Sequence, residues 1–263
     1  MEWFPDERIE YILEQLKKNH KVKVNELANH FNVTMETVRR DLDALAENNL
    51  VKRVYGGAVR VTYFQGEPPL NNRKSVMEKE KKAIGMTAAT LIKDGSLIAI
   101  DTGTTVIELA NAIKNKRDLT IVTNSLTVSS ILSEKMRKGD FQGEMIILGG
   151  RISPEQESIT GSMAEAQLSQ FNVDQAFISV GGMSLKNGLS DYDLNETVIS
   201  QRMISSAKEV IVLADHSKFG VDAFYKMASF DQVDAVVCSE PLPSSWEAHP
   251  SLENINWIVS EEI

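Results

Sequence analysis

The sequence predicts a two-domain α/β protein, with an N-terminal winged helix-turn-helix module and a C-terminal α/β domain on a largely parallel sheet. Three observations predict it. Two short amphipathic helical patterns, the second ending near Leu45, are separated by a gap of about three residues. A basic, alternating stretch with Gly56 and Gly57 at its tip follows them. From about Met77 onward, apolar runs of four or five residues alternate with helical patterns to the end.

The elements can be justified in order. Pro5 suits the first turn of an opening helix, Asp6 and Glu7 suit its positive end, and Lys17 and Lys18 suit the other end. Its apolar stripe is Ile9, Ile12, Leu13 and Leu16, at i, i+3, i+4 and i+7. Asn25 reads as the cap of a short second helix carrying Leu27, Ala28 and Phe31. Thr34 is placed to cap a third, whose inward stripe is Val38, Leu42 and Leu45.

That leaves Met35, Glu36, Thr37, Arg39 and Arg40 at the start or outer face of the third helix, where this motif reaches base edges. Arginine pairs bidentately with guanine, while threonine and a helix N-terminus hold phosphate. In residues 50–60, Val51, Arg53 and Tyr55 alternate with Lys52 and Val54, and the glycine pair supplies a turn with positive φ. This reads as a small β-hairpin, or wing. The candidate DNA contacts are Thr34, Met35, Thr37, Arg39, Arg40, Lys52, Arg53, Tyr55, Gly56 and Gly57.

Residues 61–75, with Gly66, Pro68, Pro69, Asn71 and Asn72, lack periodicity and read as a linker. The expected division is therefore a DNA-binding domain over 1–60, a linker over 61–75, and a sensor and oligomerisation domain over 76–263. Beyond the linker, strand candidates fall at 97–100, 119–122, 145–148, 176–178, 210–213 and 235–238. Helical patterns lie between several of them, at 79–92, 106–113 and 196–207. Lys79 to Lys82 reads as a solvated helix start.

Parallel sheets covered on both faces bind ligands at the carboxyl ends of their strands. Five loops of small, polar and glycine residues follow these strands, beginning at Asp101, Thr123, Gly149, Ser179 and Ala214. The sharpest is Asp101, Thr102, Gly103, Thr104 and Thr105. Glycine lets the backbone approach an anion, threonines offer hydroxyls, and the helix start offers free N–H groups. One such loop would also read as an ordinary capped turn, but five at one edge favour a small phosphorylated ligand. The loop lacks a P-loop lysine, and no strand–helix turn carries Gly-x-Gly-x-x-Gly, which sets aside nucleotide hydrolysis and dinucleotides.

The run Arg8-x3-Ile12-x3-Leu16, followed by Thr34-x2-Thr37-Val38-Arg39-Arg40-Asp41-Leu42, resembles the signature of the DeoR family of bacterial transcriptional regulators. Residues 53–58 resemble that family's wing. The likeness continues through Glu80 to Ile84 with Asp94-Gly95, then through 101–105, 122–126, 148–150, 177–182, 188–190 and 213–220. It implies a sensor domain similar in fold to ribose-5-phosphate isomerases and a phosphorylated sugar as effector. By that resemblance, Asp101 to Thr105 hold the phosphate, with Thr123, Asn124, Gly150, Asp215 and Lys218 close to the rest. One position departs: where the family often has a basic residue between Glu196 and Met203, this chain has Ser200.

Composition bounds these readings. The 263 residues are 42% hydrophobic and 25% charged, ordinary for a globular chain, and no run of about 18 apolar residues marks a membrane span. Residues 1–6 show no secretory pattern, so a cytoplasmic protein is expected. The single cysteine, Cys238, excludes an intramolecular disulfide and reads as core; His20, His30 and His249 lack metal spacing. His216 lies in a site loop. No cofactor or metal is expected.

The net charge of −9 argues, taken whole, against a nucleic-acid binder. By segment it does not. Residues 1–60 hold 10 basic and 10 acidic residues, so the remaining 18 and 27 carry the entire excess. The expected function is a sequence-specific repressor of a sugar uptake or catabolism operon, with operator DNA and a phosphorylated sugar as partners. Because one winged module offers few base contacts, a homodimer or homotetramer is expected. The alternative is a sugar-phosphate isomerase-like enzyme with an extra N-terminal module.

Overall fold

A computed structural model describes residues 3–19, 21–47, 51–60 and 67–261. Its contacts divide the chain into two compact units, Met1–Pro68 and Pro69–Ile263.

In the first unit, α1 (Pro5–Asn19) buries Ile12 and Leu16 while Ile9 and Leu13 pack at the margin. A three-residue strand, β1 (Lys21–Lys23), comes next; the sequence reading had no strand here. Helix α2 (Val24–Phe31) follows at once, with Lys23 at its cap position. The expectation that Asn25 caps this helix is therefore corrected: Asn25 lies inside it, and its Oδ1 accepts only the adjacent Glu26 N–H. Asn32 ends the helix in the left-handed region, at φ 55°, which asparagine tolerates. Thr34 then caps α3 (Met35–Glu47), its Oγ1 accepting the Thr37 N–H at 3.1 Å. Val38, Leu42 and Leu45 face inward as the spacing predicts. Arg8 of α1 grips Asp41 of α3 through two hydrogen bonds, 2.7 and 3.0 Å, with both residues over 90% buried.

The wing is β2 (Val51–Val54) and β3 (Gly57–Arg60), turning through Gly56 at φ +78°. It is three-stranded rather than a simple hairpin, because β1 pairs antiparallel with the far side of β3. Gly57 is held by that pairing. A Cβ there would lie 2.0 Å from the Val22 carbonyl oxygen. Gly57→Ala is expected to cost about 1–3 kcal/mol by forcing β1 away, and to weaken DNA binding; a thermal melt beside an electrophoretic shift checks both.

The second unit starts with α4 (Leu70–Arg73) and α5 (Glu78–Leu91). Within the interval read as linker, Leu70 is fully buried and its N–H bonds the Glu155 carbonyl at 2.9 Å. Residues 61–66 lie outside those described. The chain continues through β4 (Leu97–Ile100), α6 (Thr104–Ala112), β5 (Leu119–Thr123), α7 (Leu126–Lys138) and β6 (Gly143–Ile147). A hairpin of β7 (Arg151–Ser153) and β8 (Ser158–Thr160) precedes α8 (Ser162–Leu168) and β9 (Val173–Ser179). Then come β10 (Gly182–Ser184), β11 (Gly188–Asp191), α9 (Leu194–Ser206), β12 (Ala207–Ala214), β13 (Tyr225–Ala228), β14 (Ala235–Cys238) and β15 (Asn256–Val259).

Seven of these strands form a parallel sheet in the order β15-β14-β12-β9-β4-β5-β6. Strands such as β4 and β14 read as unbroken apolar runs because both faces are covered there. Ala99, Val122, Ile178 and Val212 join one core with α9, while Ile98, Ile100, Ile121, Phe177 and Ile211 join the other with α5 and α6. The chain builds outward from β4 to β6, then returns to lay β9 on the other side of β4. The switch of direction therefore falls between β4 and β9, where such sheets open a crevice at their carboxyl ends. A smaller antiparallel sheet, β10-β11-β13, stands apart from it.

Candidate nucleic-acid interface and ligand site

In the first unit, the capped start of α3 stands clear of the core. Met35, Arg39 and Arg40 are exposed, and Arg39 makes a loose 3.3 Å contact with Glu36. Thr34 and Thr37 sit at the helix start, their hydroxyl oxygens 2.9 Å apart. On the wing, Lys52 and Tyr55 are exposed, and Tyr55 beside Gly56 forms the tip. Arg53 is different. Its Nε reaches Asp43 Oδ1 at 2.8 Å and its Nη1 donates to the Gly57 carbonyl at 2.8 Å, so it straps the wing to α3. Between α3 and the wing lies a hollow of about 710 Å³, walled by Met35 and Arg39 on one side and residues 53–57 on the other. The lysines of β1 also border it.

In the second unit, register places the expected ligand residues along one edge. Ile100 lies opposite both Thr123 and Phe177, so Asp101 and Asn124 come next to each other just past the ends of β4 and β5, beside the last residues of β9. Asp101 is buried at the switch point. Its carboxylate accepts the Thr102 N–H and the Ser200 hydroxyl, each at 2.8 Å. This carboxyl is pushed up to about 7: burial raises it most, the hydrogen bonds offset part of that, and the Asp191 charge adds to the rise.

Gly103 caps α6 at φ +136°, and a Cβ there would lie 2.4 Å from Ser179 Oγ. Only glycine lets the β4 turn pass the end of β9. Thr104 and Thr105 are buried in the first turn of α6. Among the described residues, Thr102 Oγ1 and Asn124 Oδ1 are buried without a hydrogen-bond partner. Two orphaned acceptors beside a helix N-terminus are what a polar ligand would satisfy. Thr123 is used locally, its Oγ1 accepting the Ser125 N–H. Gly150 follows β6, packed against the Thr160 carbonyl.

Asp215 caps a single helical turn after β12, and Lys218 is that turn's last residue. Burial raises the Asp215 carboxyl, but Lys218, Lys81 and two hydrogen bonds from Ser217 outweigh it and hold the group below the usual carboxylate range. Lys81 corrects the reading of residues 79–82 as a solvated helix start. It is buried, and its Nζ donates to the Arg73 carbonyl at 2.8 Å. Neither Lys81 nor the Ser200–Asp101 bond was legible, since each depends on partners far away in sequence. Glu196 is also buried, accepting the Ser158 hydroxyl. His216 Nδ1 lies 3.0 Å from Ser239 Oγ. Burial raises the Cys238 thiol to about 12, consistent with a core role.

A recognition helix with a wing, joined to a doubly wound sheet with a polar crevice, defines a DNA-binding protein with a ligand-sensing domain. Residues 8–63 match the DeoR-like helix-turn-helix domain, and residues 76–240 match the DeoR C terminal sensor domain. The chain belongs to the DeoR family. It is 34% identical over 242 residues to the HTH-type transcriptional repressor GlcR of Bacillus subtilis, covering 92% of this chain and 90% of that protein. It is 36% identical over 234 residues to the glycerol-3-phosphate regulon repressor of Escherichia coli, covering 89% and 90%. A solved D-ribose-5-phosphate isomerase overlaps loosely, with a TM-score of 0.40 and 17% identity over 54% of each chain. Among the described residues, no helix is long and apolar enough to cross a membrane.

Proposed function

We propose that this chain is a cytoplasmic, sequence-specific transcriptional repressor of a sugar uptake or catabolism operon, released or engaged by a phosphorylated sugar. The observation that carries the reading is the exposed start of α3, with Met35, Arg39 and Arg40 free to meet base edges beside a basic wing. Domains over 1–60 and 76–263 divide the labour, with α4, inside the interval 61–75, already packed on the second. In the second, residues 101–105 take the phosphate on the N-terminus of α6, Asn124 meets the sugar hydroxyls, and Lys218 balances the charge. Thr123 and Gly150 shape the cleft rather than contact the ligand, since their atoms are already engaged. Likewise Arg53 positions the wing.

Specific affinity needs paired half-sites, so the working form is a homodimer or homotetramer. The effector shifts the population between arrangements that fit the operator and arrangements that do not. The test is a thermal-shift screen against sugar phosphates, repeated with operator DNA. The correct ester is expected to add about 2.7 kcal/mol of stability at a hundredfold excess over its dissociation constant. Thr104→Glu is expected to abolish that gain while DNA binding survives. Turnover of ribose 5-phosphate at an ordinary enzymatic rate would replace this reading with the isomerase-like one.

A further inference from the structure

We propose that β1 is a third DNA-contacting element, in which Lys21 and Lys23 hold the phosphate backbone of a duplex seated between α3 and the wing. This rests on the DNA-binding reading above and extends it to residues that no motif of the sequence marks.

The argument starts from register. Strand β1 alternates exposed, buried, exposed, with Val22 turned into the core. Lys21 lies opposite Val59 and Lys23 opposite Gly57, while Lys52 and Val54 lie opposite the same two residues from the other side of β3. Residues paired across a sheet share a face. Lys52, Val59 and Lys21 therefore form one row across the outer face, and Val54, Gly57 and Lys23 form the next. That face carries three lysines and no carboxylate of its own. The row through Gly57 is low, because the residue between Val54 and Lys23 has no side chain.

Position makes the face useful. Lys21 and Lys23 border the same hollow as Met35 and Arg39 of α3, so it is continuous with the surface that meets base edges. Lys52 and Lys21 are separated by two strand spacings, about 10 Å, and bracket a groove open to a chain of phosphates. Lys23 pairs with Glu26 at 2.7 Å, but both side chains are more than half exposed, and such a pair yields readily to a phosphate. Residues 1–60 have no net charge, so a local lysine face is what gives this module an electrostatic footprint.

The test uses the full-length protein and a mixed-sequence DNA duplex, with affinity measured across a range of salt concentrations. Two lost phosphate contacts lower the log–log salt slope by about 1.8, at roughly 0.9 per contact. The Lys21→Gln/Lys23→Gln variant is expected to show that loss with an unchanged melting temperature, while Lys138→Gln on the second unit leaves the slope alone. An unchanged slope in the double variant overturns the role of β1. Wild-type protein that binds duplex with no salt dependence overturns the DNA-binding reading itself.

Discussion

Alanine at Arg8 or at Asp41 is expected to unfold the N-terminal unit and abolish DNA binding while the C-terminal unit stays folded. The two side chains form a bidentate, buried pair between α1 and α3, and Arg8 also donates to the Trp3 carbonyl at 3.0 Å. Removing one partner strands the other charge in the core, at a cost of about 3–5 kcal/mol. A unit of this size, whose core among the described residues is eleven small-to-medium apolar side chains and Phe31, has about that much stability in total. Urea unfolding followed by circular dichroism, beside a DNA shift assay, checks it. The double variant Arg8→Met/Asp41→Leu is expected to refold, because an apolar pair of similar volume carries no stranded charge. Single variants with the wild-type unfolding midpoint would contradict the assignment.

Asp101 has the next largest effect, and its sign is set by burial. In the unfolded chain its carboxyl titrates near 3.8; in the folded chain it is pushed up to about 7. Below the lower value both states hold the proton and there is no difference between them. Between the two values the unfolded chain gives up its proton and the folded chain keeps it, so stability falls as pH rises. Above about 7 both are ionised, and the penalty levels off at about 4 kcal/mol, at 1.36 kcal/mol per unit. Asn at this position keeps the shape, accepts the Thr102 N–H and can donate to Ser200. The stability of Asp101→Asn relative to wild type is therefore expected to increase by about 2–3 kcal/mol between pH 5 and pH 8. Taking the difference removes the contribution of Asp215, whose depressed value acts in the opposite direction at lower pH. A pH-independent difference would mean that Asp101 is ionised in the folded protein throughout this range. Phosphate bound at α6, as proposed, would add a like charge nearby and raise the proton's hold further.

Much of this architecture was legible because its signals are local. The stripe Val38, Leu42 and Leu45 and the cap at Thr34 lie within one helix. The strand runs at 97–100 and 235–238 match the observed strands because burial on both faces makes every position apolar. What escaped depends on partners distant in sequence. The three residues of β1 are too short to show a period, and Lys-Val-Lys beside Asn25 looks like the approach to a capped helix. Strand β15 sits at the sheet edge and carries Asn256 and Trp257, so no apolar run announces it. The small β10-β11-β13 sheet is made of strands of three or four residues, two of which open on a glycine. In the ligand site, the loops themselves were readable, since small residues follow each strand. The burial of Lys81 and the bond from Ser200 to Asp101 were not.

The hydrophobic cores have a thermodynamic consequence. Among the described residues, the cluster that holds α1, α2, α3 and the wing runs from Ile12 to Ala58 and shares no buried residue with the two that flank the large sheet. Folding cooperativity follows shared packing, so two unfolding transitions are expected rather than one, and a calorimetric scan that shows a single transition would contradict this. On the proposed function, a sugar phosphate is expected to move one of them and operator DNA the other. The midpoint that responds to each compound thus identifies the unit to which it binds.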